Sequence, residues 1–136
     1  DGLGLNLLKK AGITLAIITG RNTPNVEARM HHLGIDLLFQ GSRNKLQTMH
    51  ELLARLGLTP EEAGFMGDDI IDLQVMAACG FSAAPADAHA LARRHARLIA
   101  SKNGGRGAVR EVCEFILDAQ GKLDAVLAPY LPAASS

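Results

Sequence analysis

The chain has 136 residues, enough for one domain with a sizeable core, and its 48% hydrophobic and 21% charged content excludes a disordered polypeptide. Its 14 basic and 14 acidic residues cancel, which argues against a nucleic-acid or membrane-surface partner, and no apolar run approaches the roughly 20 residues of a membrane span. Trp is absent, so stacking platforms are not expected, and Cys79 and Cys113 lack CxxC spacing, so they read as small buried apolar residues of a reducing, cytoplasmic compartment.

In chain order, residues 2–11 read as a helix capped by Asp1. Residues 13–19 are continuously β-branched or apolar, which predicts a strand buried on both faces. Thr23-Pro24 opens a helix, with a capping hydroxyl and a proline at the first helical position; Val26, Met30 and Leu33 form its inward stripe and Gly34 stops it. A short strand over 36–40 follows. From Asn44, residues Leu46, Met49, Leu52, Leu53 and Leu56 recur at helical period until Gly57. Thr59-Pro60-Glu61-Glu62 has the capping-box spacing of another short turn. A strand over 64–67, a helix over 69–78 and strands over 81–84 and 97–100 come next, the last two separated by a helix over 88–94. Val109, Val112, Cys113, Ile116 and Leu117 mark the last clear helix, and Gly121 is followed by a turn or two more. Strands alternating with helices predict an α/β fold: parallel strands, right-handed crossovers and a Rossmann-like three-layer sandwich. The core spans residues 1–124, and 125–136 read as a C-terminal tail.

In such a sheet ligands bind at the carboxyl ends of the strands. Two runs end there in polar residues, Ile17-Ile18-Thr19-Gly20-Arg21 and Phe65-Met66-Gly67-Asp68-Asp69-Ile70-Ile71-Asp72. Asp68 falls at a strand tip, and Asp69 and Asp72 are three apart on the next helix, hence on one face. Close carboxylates repel unless a cation neutralises them, and oxygen-rich sites suit Mg²⁺. The plain alternative is that Asp69 only caps a helix and Asp72 is solvated. The Thr19 hydroxyl and the backbone N–H groups of Gly20 and Arg21 suit a phosphate oxygen, with Arg21 adding charge; alone, they read equally as a turn. Lys45 opens a helix against the dipole, which points to an anionic partner. Arg106, in Gly104-Gly105-Arg106-Gly107, is a weaker candidate for an anion. Of the five His, only His89, after Asp87, lies near a strand tip, and it is not read as catalytic.

Thr19 in ITGR, Lys45 and the GDDIID run follow the order of motifs II, III and IV of the haloacid dehalogenase superfamily, which the chain resembles. Within it, AIITGR, the LGI and FQG segments, the NK pair, ADAH, GGRGAVREVCE and AQGKLD are similar to the 3-deoxy-D-manno-octulosonate 8-phosphate (KDO 8-P) phosphatases, capless enzymes that form homotetramers. The resemblance implies Mg²⁺-dependent hydrolysis of a sugar phosphate in lipopolysaccharide biosynthesis through an aspartyl-phosphate. It implies that Thr19 holds the phosphoryl group with Gly20 and Arg21, and that Lys45 neutralises it. Asp68 would ligate Mg²⁺, with Asp69 supporting the metal and Asp72 orienting Lys45 or water. Arg106 and the tail become candidates for closing a neighbouring subunit's site on the substrate.

The family's first motif, a strand ending in DxDGxxT with the nucleophilic Asp, has no match, and in the family Asp1-Gly2 would follow it. That strand lies at the centre of the family's sheet, so the chain is expected to be a fragment of a longer protein, inactive as it stands and poorly stable alone. Two other readings rank below the phosphatase. One is a non-catalytic assembly module of a nucleotide-sugar synthetase, which need not keep Thr19, Lys45 and Asp68. The other is a phosphoacceptor receiver domain, which brings its acids earlier in the chain.

Overall fold

The computed structural model describes residues 2–35 and 37–132; the capping role of Asp1, residue 36 of the second expected strand and the last four residues of the tail lie outside the described residues. The elements are helix α1 (Gly2–Lys10), strand β1 (Ala16–Ile18), α2 (Pro24–Leu33), β2 (Leu37–Phe39) and α3 (Lys45–Leu56). After a 3-10 turn (Pro60–Glu62) come β3 (Gly64–Met66), a second 3-10 turn (Ile70–Asp72), α4 (Leu73–Ala78) and β4 (Phe81–Ala84). The chain closes with α5 (Ala90–His95), β5 (Leu98–Ile99), α6 (Ala108–Ala119), α7 (Leu123–Leu127) and a 3-10 turn (Ala128–Tyr130).

All strand pairing among the described residues is parallel, as the alternation requires. It falls into two sheets. β1 pairs with β2, Ile17 opposite Leu38, while β4 lies between β3 and β5, with Phe65 opposite Ser82 and Ala83 opposite Leu98. β1 and β3, whose tips carry the two polar motifs, do not pair with each other. Residues 13–19 are accordingly not buried on both faces. β1 spans three residues and is only partly buried, because one of its edges has no strand against it.

Helices join the two sheets. Met49 and Leu53 of α3 pack with Val75 of α4 and with Cys79, and both Ile18 of β1 and Phe65 of β3 lie against this cluster. A second cluster packs Leu7 and Leu8 of α1 on Cys113 and Leu117 of α6. Val126 and Leu127 join it, so the stretch from 125 begins inside α7 with these two side chains on the core, while residues 128–132 are exposed. Gly34 and Gly57 end α2 and α3 with left-handed φ of 73° and 69°, the role their position predicted. Thr23 differs from expectation. Its hydroxyl makes no capping bond, and its N–H instead donates to Gln40 Oε1 at 2.9 Å, tying the start of α2 to the end of β2.

Candidate functional site

The tip of β1 is locked to the tip of β2. The Thr19 N–H donates to the Phe39 carbonyl (2.9 Å), its own carbonyl accepts from the Ser42 N–H (3.0 Å), and the Gly41 N–H donates to the Arg21 carbonyl (2.9 Å). The Thr19 hydroxyl oxygen accepts from the Arg21 N–H at 3.1 Å, which leaves the hydroxyl proton to donate outward. Residues 40–44 then turn into α3, where Asn44 caps the helix by accepting from the Gln47 N–H at 3.0 Å.

Lys45 is the first residue of α3, and its anionic partner is within the chain. Nζ donates to Asp72 Oδ1 at 2.7 Å, with the side chains 14% and 4% exposed. The other Asp72 oxygen accepts the N–H groups of Asp68 (3.0 Å) and Asp69 (3.2 Å). Burial works against the ionised form of Asp72, but the Lys45 ammonium and these N–H donors outweigh it and hold the carboxyl below its ordinary value. This close fit depends on Gly67. A Cβ there would sit 2.5 Å from Asp72 Cβ and 2.9 Å from Met76 Sδ.

Asp69 and Asp72 meet in a reciprocal capping box, but the three carboxylates differ in exposure. Asp72 is buried, whereas Asp68 and Asp69 are exposed at the edge. Asp69 caps the 3-10 turn, its Oδ1 accepting from the Ile70 N–H at 2.7 Å. Asp68 has its carboxyl raised, first by partial burial and then by Asp72 and Asp69, against the pull of Lys45. A cation beside Asp68 would relieve that repulsion. Among the described residues no group of three or more His, Cys, Asp or Glu surrounds a metal-sized point. Asp68 and Asp69 thus offer part of a shell, which fits Mg²⁺, an ion commonly held by one or two carboxylates with water and phosphate oxygens.

Lys45, Asp68, Asp69 and Asp72 form one hydrogen-bonded cluster, whereas Thr19 is bonded to the β2 tip and to the turn that leads into α3. Among the described residues, no hydrogen bond or ion pair joins the side chains of Arg21 or Arg106 to this cluster, and both are exposed. A link that the sequence did not reveal comes from residues 85–89, where the His89 N–H donates to the Asp68 carbonyl at 2.8 Å. Asp87 in the same segment accepts from the Gly104 N–H at 2.8 Å. The sequence signals for it were His89, after Asp87, near a strand tip and the ADAH run of the resemblance, neither of which showed the bond. Two surface concavities, of about 560 and 430 Å³, lie elsewhere, beside α1 and Gly34.

Residues 4–80 match the family model of the haloacid dehalogenase-like hydrolases. Over 124 residues, 91% of this chain and 66% of the relative, the sequence is 50% identical to the 3-deoxy-D-manno-octulosonate 8-phosphate phosphatase KdsC of Yersinia pestis. It is 48% identical to that of Escherichia coli K12 over the same shares. The chain therefore spans just under two thirds of the length of these curated relatives. Its fold superposes with a TM-score of 0.93 on the Moraxella catarrhalis 3-deoxy-D-manno-octulosonate 8-phosphate phosphatase, a structure in complex with magnesium, phosphate and KDO; identity is 42%, with 96% of this chain and 75% of that one covered. The family model and these likenesses agree: the chain belongs to the haloacid dehalogenase-like hydrolases.

Proposed function

We propose that the protein containing this chain is a Mg²⁺-dependent phosphatase of an acidic sugar phosphate, 3-deoxy-D-manno-octulosonate 8-phosphate, yielding KDO and phosphate for lipopolysaccharide biosynthesis. The observation that carries the reading is the buried Lys45–Asp72 pair, set against an exposed Asp68 whose carboxyl is raised. Asp72 spends its charge on Lys45 and two N–H groups, which fixes the ammonium in place. Lys45 then offers its remaining donors to a phosphoryl oxygen, and Thr19 offers its hydroxyl proton, with the Gly20 N–H beside it. Charge on the peripheral oxygens of a transferring phosphoryl group is what such donors stabilise. Asp68, with Asp69 beside it, would hold Mg²⁺, which supplies positive charge at the phosphate. The likeness to a structure holding magnesium, phosphate and KDO supports this reading.

These residues grip and neutralise a phosphoryl group but supply no nucleophile, so this chain alone is proposed not to turn over. The unpaired edges of β1 and β3 support the expectation that a strand completes the sheet between them. A cytoplasmic homotetramer belongs to the same reading. No described helix is long and apolar enough to cross a membrane, and Ile70 and Ile71 are exposed beside the site, where a neighbouring subunit would cover them.

The test is phosphate release from KDO 8-P by the complete gene product, with Mg²⁺ and then with EDTA. Release that EDTA abolishes and Mg²⁺ restores is expected. A folded, Mg²⁺-supplied protein that releases phosphate from no sugar phosphate overturns the reading, and an assembly role then stands first.

A further inference from the structure

The loop between β5 and α6 is held at three points over residues 101–104. The Ser101 N–H and hydroxyl both donate to the Glu111 carboxylate, at 2.9 Å or a little more. The Lys102 carbonyl accepts from the Ala86 N–H at 2.9 Å. Farthest along, the Gly104 N–H donates to Asp87 Oδ1 at 2.8 Å, and the Arg106 N–H closes the turn on the Asn103 carbonyl at 3.0 Å. Residues 85–89, which provide two of these ties, are themselves fixed to motif IV by the 2.8 Å bond from the His89 N–H to the Asp68 carbonyl. Asp68 and Arg106, remote in sequence, are thus joined by a short run of hydrogen bonds, and its one side-chain link is Asp87.

We propose that Asp87 is a positioning residue: by holding the Gly104 N–H it sets the Arg106 turn at the edge marked by Asp68, and so fixes where the carboxylate of the sugar acid is received. The proposal rests on the phosphatase reading above and deepens it. Its physical basis is the freedom of the loop. Three of the four residues 104–107 are Gly, and Gly105 and Gly107 have φ of 74° and 103°, so without a tie this turn has unusually many conformations to lose when Arg106 binds an anion. The tie removes that loss before the substrate arrives. Its effect belongs to ground-state binding and falls on KM rather than kcat. Asp is the residue for the task because an ionised acceptor makes the stronger bond to an N–H, while Asn retains an acceptor of the same shape.

The experiment compares D87A, D87N, R106A and the D87A/R106A pair in the complete gene product, on KDO 8-P and on a neutral aryl phosphate. Expected for D87A is a rise of about tenfold in KM for KDO 8-P, with kcat and aryl phosphate turnover within about twofold of the parent, and faster hydrogen exchange at the Gly104 amide. D87N recovers most of the loss, and D87A adds nothing in the R106A background, because the effect passes through Arg106. Equal losses on both esters, a D87N as impaired as D87A, or an additive double variant each overturn the positioning role. A parent that hydrolyses both esters while D87A matches it overturns that role alone. A parent that hydrolyses neither overturns the phosphatase reading and the role of Arg106 with it.

Discussion

At the scale of single residues, the pair Lys45–Asp72 is a sensitive point of the chain. Removing the ammonium leaves a carboxylate that is 4% exposed with only two N–H donors. Stranding one member of a buried pair costs 3–5 kcal/mol, and the remaining donors put Lys45→Ala at the lower end, about 3 kcal/mol by urea denaturation at pH 7. The pH dependence follows from the sign. In the parent, the depressed carboxyl of Asp72 contributes stability that is complete above its ordinary titration near pH ~4 and is lost as pH falls through the lower folded value. In the variant the lowering due to Lys45 is gone, so the deficit shrinks as the solution is acidified through the carboxylate range. A deficit that stays constant through that range would show that the charge is not what stabilises the pair. Asp68 has the opposite sign. Its carboxyl is raised in the fold, so its ionised form is a standing cost above the folded value. Asp68→Asn is expected to unfold at the same temperature or higher at pH 7, with the advantage fading on acidification, while Mg²⁺-dependent turnover in the complete protein drops at least about a hundredfold. Lys45 was legible in the sequence as a cation in the wrong place on a helix, which announced an anion. That the anion was Asp72 was implied by the resemblance and not by the residue pattern, because the segment inverts the usual order: Ile70 and Ile71 are 52% and 68% exposed while Asp72 is buried.

At the scale of elements, type and order could be read from the sequence, and lengths less so. β4 covers the four residues expected, because Phe81–Ala84 is the central strand of its sheet and is paired on both sides. The run 13–19 gave only the three paired residues of β1, since β-branched sequence cannot report whether a neighbouring strand is present. The helix expected over 69–78 begins as a 3-10 turn, because Asp72 draws the N–H groups of Asp68 and Asp69 onto one carboxylate. Tight joints between elements were visible only in space. Gly80 links α4 to β4 and lies on the backbone of the Pro60–Glu62 turn, where its N–H donates to the Pro60 carbonyl at 2.9 Å. A Cβ at this position would overlap the Glu61 carbonyl oxygen and come within 2.8 Å of its carbon. Backbone on backbone has no rotamer to yield, so Gly80→Ala is expected to destabilise by about 3 kcal/mol, the upper part of the range for overpacking. A loss below 0.5 kcal/mol in thermal or urea denaturation would mean that the turn is free to move aside.

At the scale of the whole molecule, two small parallel sheets are joined through the α3–α4 cluster, and α1 packs on α6 in a second cluster. The alternation of strands and helices predicted the parallel order, and the lack of pairing between β1 and β3 among the described residues was expected from the motifs rather than from any strand pattern. The halves differ in strength. β4 is mostly buried, with Ala83 and Ala84 1% and 0% exposed, whereas β1 and β2 are three-residue strands of partly buried side chains. What fastens the weaker pair is the α3–α4 cluster, in which Leu53 and Met49 lie with Val75 under both Ile18 and Phe65. A two-stranded sheet has little stability of its own, so it depends on that packing. Native-state hydrogen exchange is therefore expected to divide the chain into two units, with amides of β1 and β2 opening at lower free energy than those of β4. Leu53→Ala removes a buried side chain at the joint and is expected to cost about 3 kcal/mol. Much of that loss should show as accelerated exchange in β1 and β2, with β4 changing least. Uniform acceleration in all five strands would instead make the molecule one cooperative unit, with the unpaired edges of β1 and β3 no weaker than the rest of the fold.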